Sequence, residues 1–262
     1  MKVPFRWLLA AFVGLASLPG TPSAALAATS AQVTAEYSLL DHGYQDWQAT
    51  DILWNTDLGP TEGSRGSTAG KLFGDFGATR RFGLFDQTLS FGYLRKVGAV
   101  VTTLETAFSP SHQVMPFWTG RAGVSWPVGA GWVLSTSYKR NAYNAAYVNL
   151  GTLGVDEYFG PFRIGYRLFG SDLMNSGFAL SHMVAFSWYY GDRSDLTLIG
   201  ALGTELDALP RDSVLAIPTR TLSLNLDHAL GKSWALTGRA AWQAEGDLYT
   251  RSTLVLGVSY LH

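Results

Sequence analysis

The 262-residue sequence predicts an all-β fold: an antiparallel transmembrane β-barrel of about 14 strands. Three observations predict it. Apolar residues recur at every second position through short segments punctuated by Gly, Asp, Asn, Ser and Pro, and a period of two is the signature of a strand. Aromatics are plentiful, with 9 Trp, 12 Tyr and 14 Phe, and they gather near segment ends. Charged residues make up only 15% of the chain, against about 25% in ordinary soluble proteins. No apolar run beyond the opening segment reaches the ~20 residues of a helical span.

The opening segment carries Lys2 and Arg6, then the apolar stretch Trp7 to Leu18, then PGTPSAALA with Ala25 and Ala27 at small-residue cleavage positions. That pattern predicts a secretory signal peptide over 1–27 and an exported barrel domain over 28–262. The apolar stretch is too short for a membrane anchor. Cysteine is absent, which excludes disulfides, thiolate nucleophiles, Cys-ligated metals and a lipidated N-terminus. The net charge of -1 offers no basic excess for nucleic acid.

Strands are expected at 33–40, 47–55, 70–80, 87–95, 99–107, 117–126, 131–140, 145–156, 160–169, 179–190, 194–203, 219–228, 232–242 and 249–261, or 12 in all if the first two segments are irregular. Their faces alternate. Phe162, Ile164, Tyr166 and Leu168 share one side against Arg163, Gly165 and Arg167. Leu222, Leu224 and Leu226 oppose Ser223, Asn225 and Asp227, while Val184, Phe186, Trp188 and Tyr190 oppose Ser181, Ala185 and Ser187. Links at 96–98, 127–131 and 229–232 are short. Those at 109–116, 170–177 and 204–218 are longer, the asymmetry expected of tight periplasmic turns and longer outer loops. The segment 59–66 breaks that rule as a long periplasmic turn.

A soluble sandwich also alternates, so the character of the faces decides. A sandwich needs a charged outer face, whereas here the polar face is mainly Ser, Thr, Gly and Asn with scattered charge. Trp118 and Trp126, Trp132 and Tyr138, Trp188 and Tyr190, and Trp234 and Trp242 cluster near strand ends, as the two interfacial girdles of a barrel do. The C-terminus is the other discriminator. Leu254, Leu256, Val258, Tyr260 and His262 alternate with polar or small residues to the end of the chain. This looks like the terminal strand through which assembly machinery handles outer-membrane barrels, with His262 where Phe is usual. Backbone groups at membrane depth must all be bonded, so such strands have to close.

The polar face supplies the candidate site. Arg121, Lys139, Arg163, Arg167, Arg239, Glu36, Asp75, Glu105 and Asp227 are expected to point into the lumen. They either pair and fill it or line a polar channel and set its selectivity. Four of the arginines could favour anions, acidic sugars included. Tyr143, Tyr147, Tyr158 and Trp54 are candidates for stacking on sugar rings or for the girdles. The 204–218 segment is the outer loop with the length to fold into the lumen. There is no HExxH, no close pair of His ligands, no GxSxG and no phosphate-binding loop, so no metal, cofactor or enzyme activity is expected. Ser109, Ser111 and His112 in an outer loop, and Ser181 beside His182, leave a rim-located lipid hydrolase as the remaining catalytic option. Adjacent strand residues face opposite ways, so Ser181 and His182 cannot pair.

Several short motifs in order resemble the YaiO family of outer-membrane β-barrel proteins: Asp46-Trp47, Arg80 to Gly83 with Asp86 following, FSPSH from Phe108, MPFW from Met115, Gly131-Trp132, DEYFGPFRIGYRLF from Asp156, YYGDRS from Tyr189, GTE from Gly203, and YTRSTLVLGVSY from Tyr249. The resemblance covers the exported chain. It implies an outer-membrane barrel, often associated with cell-surface polysaccharide systems, with no settled reaction or substrate. It also implies that the N-terminal helical-repeat extension of some relatives is lacking here. The expected partners are outer-membrane lipids, the barrel assembly machinery, and polysaccharide or its export proteins. Three functional readings follow. One is a narrow pore or export partner for polysaccharide or another small polar solute. The second is a non-conducting structural or adhesive barrel. The third is the rim hydrolase.

Overall fold

A computed structural model describes residues 29–58, 70–144, 146–173, 177–191, 193–209 and 213–262. The expected signal peptide and the 59–66 turn lie outside the described residues. Fourteen antiparallel strands form the wall: β1 (Thr29–Leu40), β2 (Trp47–Leu58), β3 (Gly70–Arg81), β4 (Leu84–Val97), β5 (Val100–Phe108), β6 (Trp118–Gly129), β7 (Trp132–Ala142), β8 (Tyr147–Phe159), β9 (Phe162–Leu173), β10 (Gly177–Tyr189), β11 (Asp195–Leu209), β12 (Ser213–Leu230), β13 (Trp234–Glu245) and β14 (Tyr249–Leu261). Each pairs with its neighbours in sequence, and β14 pairs with β1 to close the barrel.

Closure explains why the alternation runs to the last residues. Ser30 lies opposite Leu261, and the pairing continues to Leu40 opposite Arg251. Beyond the strand, the His262 N–H donates to the Thr29 carbonyl at 2.9 Å, and the Thr29 N–H donates back at 3.3 Å. The terminus is therefore part of the seam that leaves no unbonded edge.

The distribution of side chains is inverted relative to a soluble core. Leu104, Leu153, Leu202 and Leu256 are about three-fifths exposed, while Ser38, Ser187, Thr197 and Thr219 are buried. Apolar residues face outward and small polar ones inward, which rules out the sandwich. Leu254, Leu256, Val258 and Tyr260 are exposed on the outer wall, and Arg251, Thr253, Val255 and Gly257 are buried on the inner one.

Trp118 and Trp126 sit toward opposite ends of β6, as Trp234 and Trp242 do on β13. Trp132, Tyr138 and Trp188 share this outward face. Trp188 and Tyr190 do not belong to opposite ends: their rings lie 5.0 Å apart at one end, because only one residue separates them.

Two of the expected long loops are mostly wall. β9 runs to Leu173 and β10 begins at Gly177, while β11 runs to Leu209 and β12 begins at Ser213. Pairing from Thr204 opposite Pro218 to Leu209 opposite Ser213 makes this last hairpin an extension of the sheet. The described residues of the 204–218 segment, 204–209 and 213–218, therefore continue the sheet and do not fold into the lumen. Turn chemistry is tight elsewhere. At the β6–β7 turn Gly131 has φ +83°, and a Cβ there would lie 2.4 Å from the Tyr158 carbonyl oxygen. Only glycine fits, and the Tyr158 N–H bonds the Gly131 carbonyl at 2.8 Å.

Candidate functional site

The inward face of the wall divides by charge. Glu36, Asp51, Asp75 and Glu105 come from β1, β2, β3 and β5; Arg121, Lys139, Arg163 and Arg167 come from β6, β7 and β9. Neighbouring strands thus build a mainly acidic arc and then a mainly basic one, with Lys71 of β3 and Asp156 of β8 as charges of the opposite sign within them. Where they meet, Glu105, Arg121 and Lys139 stand in register across β5, β6 and β7, with Arg121 Nη1 3.7 Å from Glu105 Oε2. Within the acidic arc, Thr34 Oγ1 donates to Asp51 at 3.5 Å. A Cβ on Gly77 would meet carboxylate oxygens of both Asp51, at 2.8 Å, and Asp75, at 3.7 Å. The bare Gly77 backbone is what leaves room for these two side chains.

Other charges are tied across strands. Arg239 reaches over Val255 to Glu36, with Nη2 to Oε2 at 2.9 Å. Arg167 Nη2 donates to Asp156 Oδ2 at 2.6 Å. Their register partners are glycines: Gly154 opposite Arg167 and Gly165 opposite Asp156. A Cβ on either would sit 2.5 Å from the charged side chain it faces. Two glycines therefore let one diagonal ion pair lie flat on the wall. We expect Arg167→Ala to cost about 3 kcal/mol, because it leaves a buried carboxylate without its cation; urea unfolding of vesicle-inserted protein measures it. Toward the end that carries the termini, Arg163 donates to Ser187 Oγ at 3.0 Å, and Gln32 donates to Thr237 Oγ1 at 2.7 Å. Thr237 in turn donates to Asp227 Oδ1 at 2.6 Å.

The opposite mouth holds what the sequence did not reveal. Trp47 points inward and is 1% exposed. It packs with Phe82 and Tyr249, and Leu40, Tyr44, Leu84 and Val114 surround them. The guanidinium carbons of Arg81 and Arg251 lie 4.8 and 4.6 Å from the centroid of the Trp47 ring, within cation–π range. Arg251 also donates to Gln243, Gln243 donates to Glu245, and Thr219 Oγ1 donates to Glu245 at 3.2 Å. At the exposed rim, a hydrogen bond from the Thr250 N–H (2.7 Å) holds the Asp41 carboxyl below its usual range, tying the β1–β2 turn to β14.

Over this cluster bends the β5–β6 loop, residues 109–117. Its anchor is Asp86, an inward residue of β4 that is 1% exposed. The Asp86 carboxylate accepts the N–H groups of Gln113 at 2.8 Å, Val114 at 2.7 Å and Met115 at 2.9 Å. Gln113 also donates to the Phe85 carbonyl at 3.3 Å, and Ser111 Oγ accepts the Gln87 N–H at 3.0 Å. The loop that leans into the mouth is thus this one and not the 204–218 segment. A buried carboxylate at the right height beat greater length.

The Ser109, Ser111 and His112 group is held as a turn. Ser109 Oγ accepts the His112 N–H at 3.2 Å, while His112 Nδ1 faces the carbonyls of Ser109 and Pro110 at 3.2 and 3.0 Å. Ser181 is buried inward and His182 is exposed outward, where it meets the Tyr166 hydroxyl at 2.6 Å. His182 lies well inside β10 and not at a rim. Of the aromatic stacking candidates, Trp54 and Tyr147 point outward, so neither lines the lumen; Tyr158 points inward and Tyr143 sits in the β7–β8 turn. Sequence reading missed Trp47, Asp51, Asp86, Asp156, Glu245 and Arg251 as lumen residues. Strand parity through 47–55 could have found Trp47 and Asp51. Nothing local marks Asp86 as a loop anchor.

Several of the motifs that carried the family resemblance converge here, while Gly131-Trp132 and YYGDRS lie at the end that carries the termini. Trp47, the 81–86 segment with Arg81, Phe82 and Asp86, the 109–117 loop, and the 249–251 segment with Tyr249 and Arg251 come from four separate stretches of sequence and meet at one mouth. The YaiO membrane beta barrel domain matches residues 28–208. No curated protein matches the chain. An anion-selective porin from Comamonas acidovorans is similar in structure, with a TM-score of 0.51 and 11% identity over 90% of this chain and 99% of that one. A loop L8 deletion mutant of OmpT, an outer membrane protein of Vibrio cholerae, gives a TM-score of 0.51 and 9% identity over 89% of this chain and 98% of that one. At these identities the likeness concerns the fold alone.

Proposed function

The chain belongs to the YaiO family of membrane β-barrels, and from that premise we propose that it serves in the bacterial outer membrane as a narrow, loop-gated pathway for a small polar or acidic solute, saccharides included. In this reading the termini end faces the periplasm and the 109–117 mouth faces outward. The last strand, with Leu254, Leu256, Val258, Tyr260 and His262, is the segment offered to the barrel assembly machinery. One observation carries the reading: the inward face is mainly acidic on β1 to β5, with Glu36, Asp51, Asp75 and Glu105, and mainly basic on β6 to β9, with Arg121, Lys139, Arg163 and Arg167. Such a transverse field orders a solute that carries both charge and hydroxyls as it passes. The proposal includes no bond chemistry.

Planar-bilayer recording tests it. Stepwise currents are expected from the purified protein. Replacing Asp51 and Asp75 together by Asn is expected to raise anion over cation permeability on the order of a few-fold, read from reversal potentials in a salt gradient. The same loop over the same mouth also supports the second reading, a structural or adhesive barrel. Silence of both the native chain and an Asp86→Ala variant would decide for that one.

A further inference from the structure

Beneath the 109–117 loop, buried donors lack acceptors. The indole Nε1 of Trp47, in a residue that is 1% exposed, bonds to no acceptor among the described residues. Arg251, also buried, places one nitrogen on the neutral amide oxygen of Gln243. Its Nε and Nη1 find no acceptor among the described residues either. Indole and guanidinium nitrogens can only donate. A buried cation bonded to a neutral partner alone is costly. The pattern therefore points to an acceptor that comes from outside the chain.

The neighbouring carboxylates do not fill that role. Both oxygens of Glu245 accept from other side chains, one from Gln243 and one from Thr219. Asp86 is taken up by the amides of the 109–117 loop. Glu205 of β11 is near enough to act on Arg251 by charge, yet it bonds neither Nε nor Nη1. Arg81 adds a second positive charge beside the Trp47 ring. Val114 of the loop packs against the same cluster. A ligand admitted when the loop lifts is enclosed when the loop returns, in a water-poor setting where a charge-assisted hydrogen bond is strong.

We propose that Trp47 Nε1 and Arg251 form a docking point for a carboxylate carried by the passing solute, a sugar acid being the simplest example. The inference rests on the loop-gated pathway above and narrows its solute from polar to acidic. A carboxylate brings two acceptor oxygens, one for the indole N–H and one for the guanidinium. Glu205 is the opposing charge. It limits the affinity, as a site that must release its ligand requires.

The test uses the full barrel refolded in detergent with isotope-labelled indoles. NMR follows the Trp47 N–H resonance, identified by its loss in Trp47→Phe, during titration with glucuronate, glucose or inorganic phosphate. Saturable movement with glucuronate and none with glucose is expected. Arg251→Gln is expected to weaken glucuronate binding on the order of tenfold, the loss of one charged contact. Should that variant not fold, Trp47→Phe keeps the ring and loses only the N–H. Calorimetry on it is expected to show binding weakened about threefold, and unchanged binding would overturn the docking point. Glu205→Gln is expected to tighten binding about threefold; weakening there would overturn the assignment, because the ligand would be donating hydroxyls to Glu205. Equal movement with glucose, or none with glucuronate, would overturn it as well. Phosphate binding in place of glucuronate would overturn the carboxylate and assign the donors to a free ion. Planar-bilayer currents from the same samples report on the pathway separately. Binding without currents sinks the pathway alone, and currents without binding sink the docking point alone.

Discussion

Replacing Asp86 by alanine is expected to release the 109–117 loop from the mouth while leaving the barrel closed. The three N–H groups of Gln113, Val114 and Met115 share this one carboxylate, and no other described acceptor takes their place. Hydrogen bonds to a charged acceptor are each worth about 1.5–3 kcal/mol. They are not additive here, because released amides find water at the mouth. A net loss of about 3 kcal/mol is the conservative figure, on the order of a hundredfold in local opening. Hydrogen exchange at residues 113–115 should therefore accelerate by that factor, while amides in β6 and β13 keep their protection. Single-channel conductance should rise in the same variant, since the loop covers Trp47 and its flanking arginines. Unchanged exchange at 113–115 would mean that Val114, packed on the Trp47 cluster, holds the loop without the carboxylate.

The second large effect lies on the outer wall. Leu153 sits midway along β8 and is about three-fifths exposed. In a bilayer that position faces hydrocarbon, so Leu153→Arg is expected to cost about 2–4 kcal/mol. Val128 is also exposed, but it lies beside the β6–β7 turn, where an arginine reaches the headgroups. Val128→Arg should cost less than about 1 kcal/mol. Folding free energies in lipid vesicles of matched thickness measure both. Water at the outer face would make the two substitutions alike and nearly neutral, and that result would contradict a membrane-embedded wall.

The number of strands, their approximate limits and the alternation of the two faces along most strands were legible from the chain alone. A strand's alternation is local: once Leu254 is known to face out, Val255 must face in. Aromatic spacing on β6 and β13 marked both ends of the span for the same reason. The low charge and the alternation up to Tyr260 pointed to closure before any pairing was known.

What the sequence could not determine is which inward residues meet. Arg239 finds Glu36 from 203 positions away, and Arg167 finds Asp156 only because glycines stand opposite both. Register between neighbouring strands decides these contacts, and register depends on turn lengths and on how the whole ring closes. Loop length also misled: the 204–218 segment was long because its strands continue past the wall, whereas the shorter 109–117 loop turns inward on a single buried carboxylate. Period-two patterning settled the two faces of the wall; only the closed ring brought Trp47, Asp86, the 109–117 loop and Arg251 to one mouth, because contacts across a lumen follow from geometry summed over every strand and from no local stretch of residues.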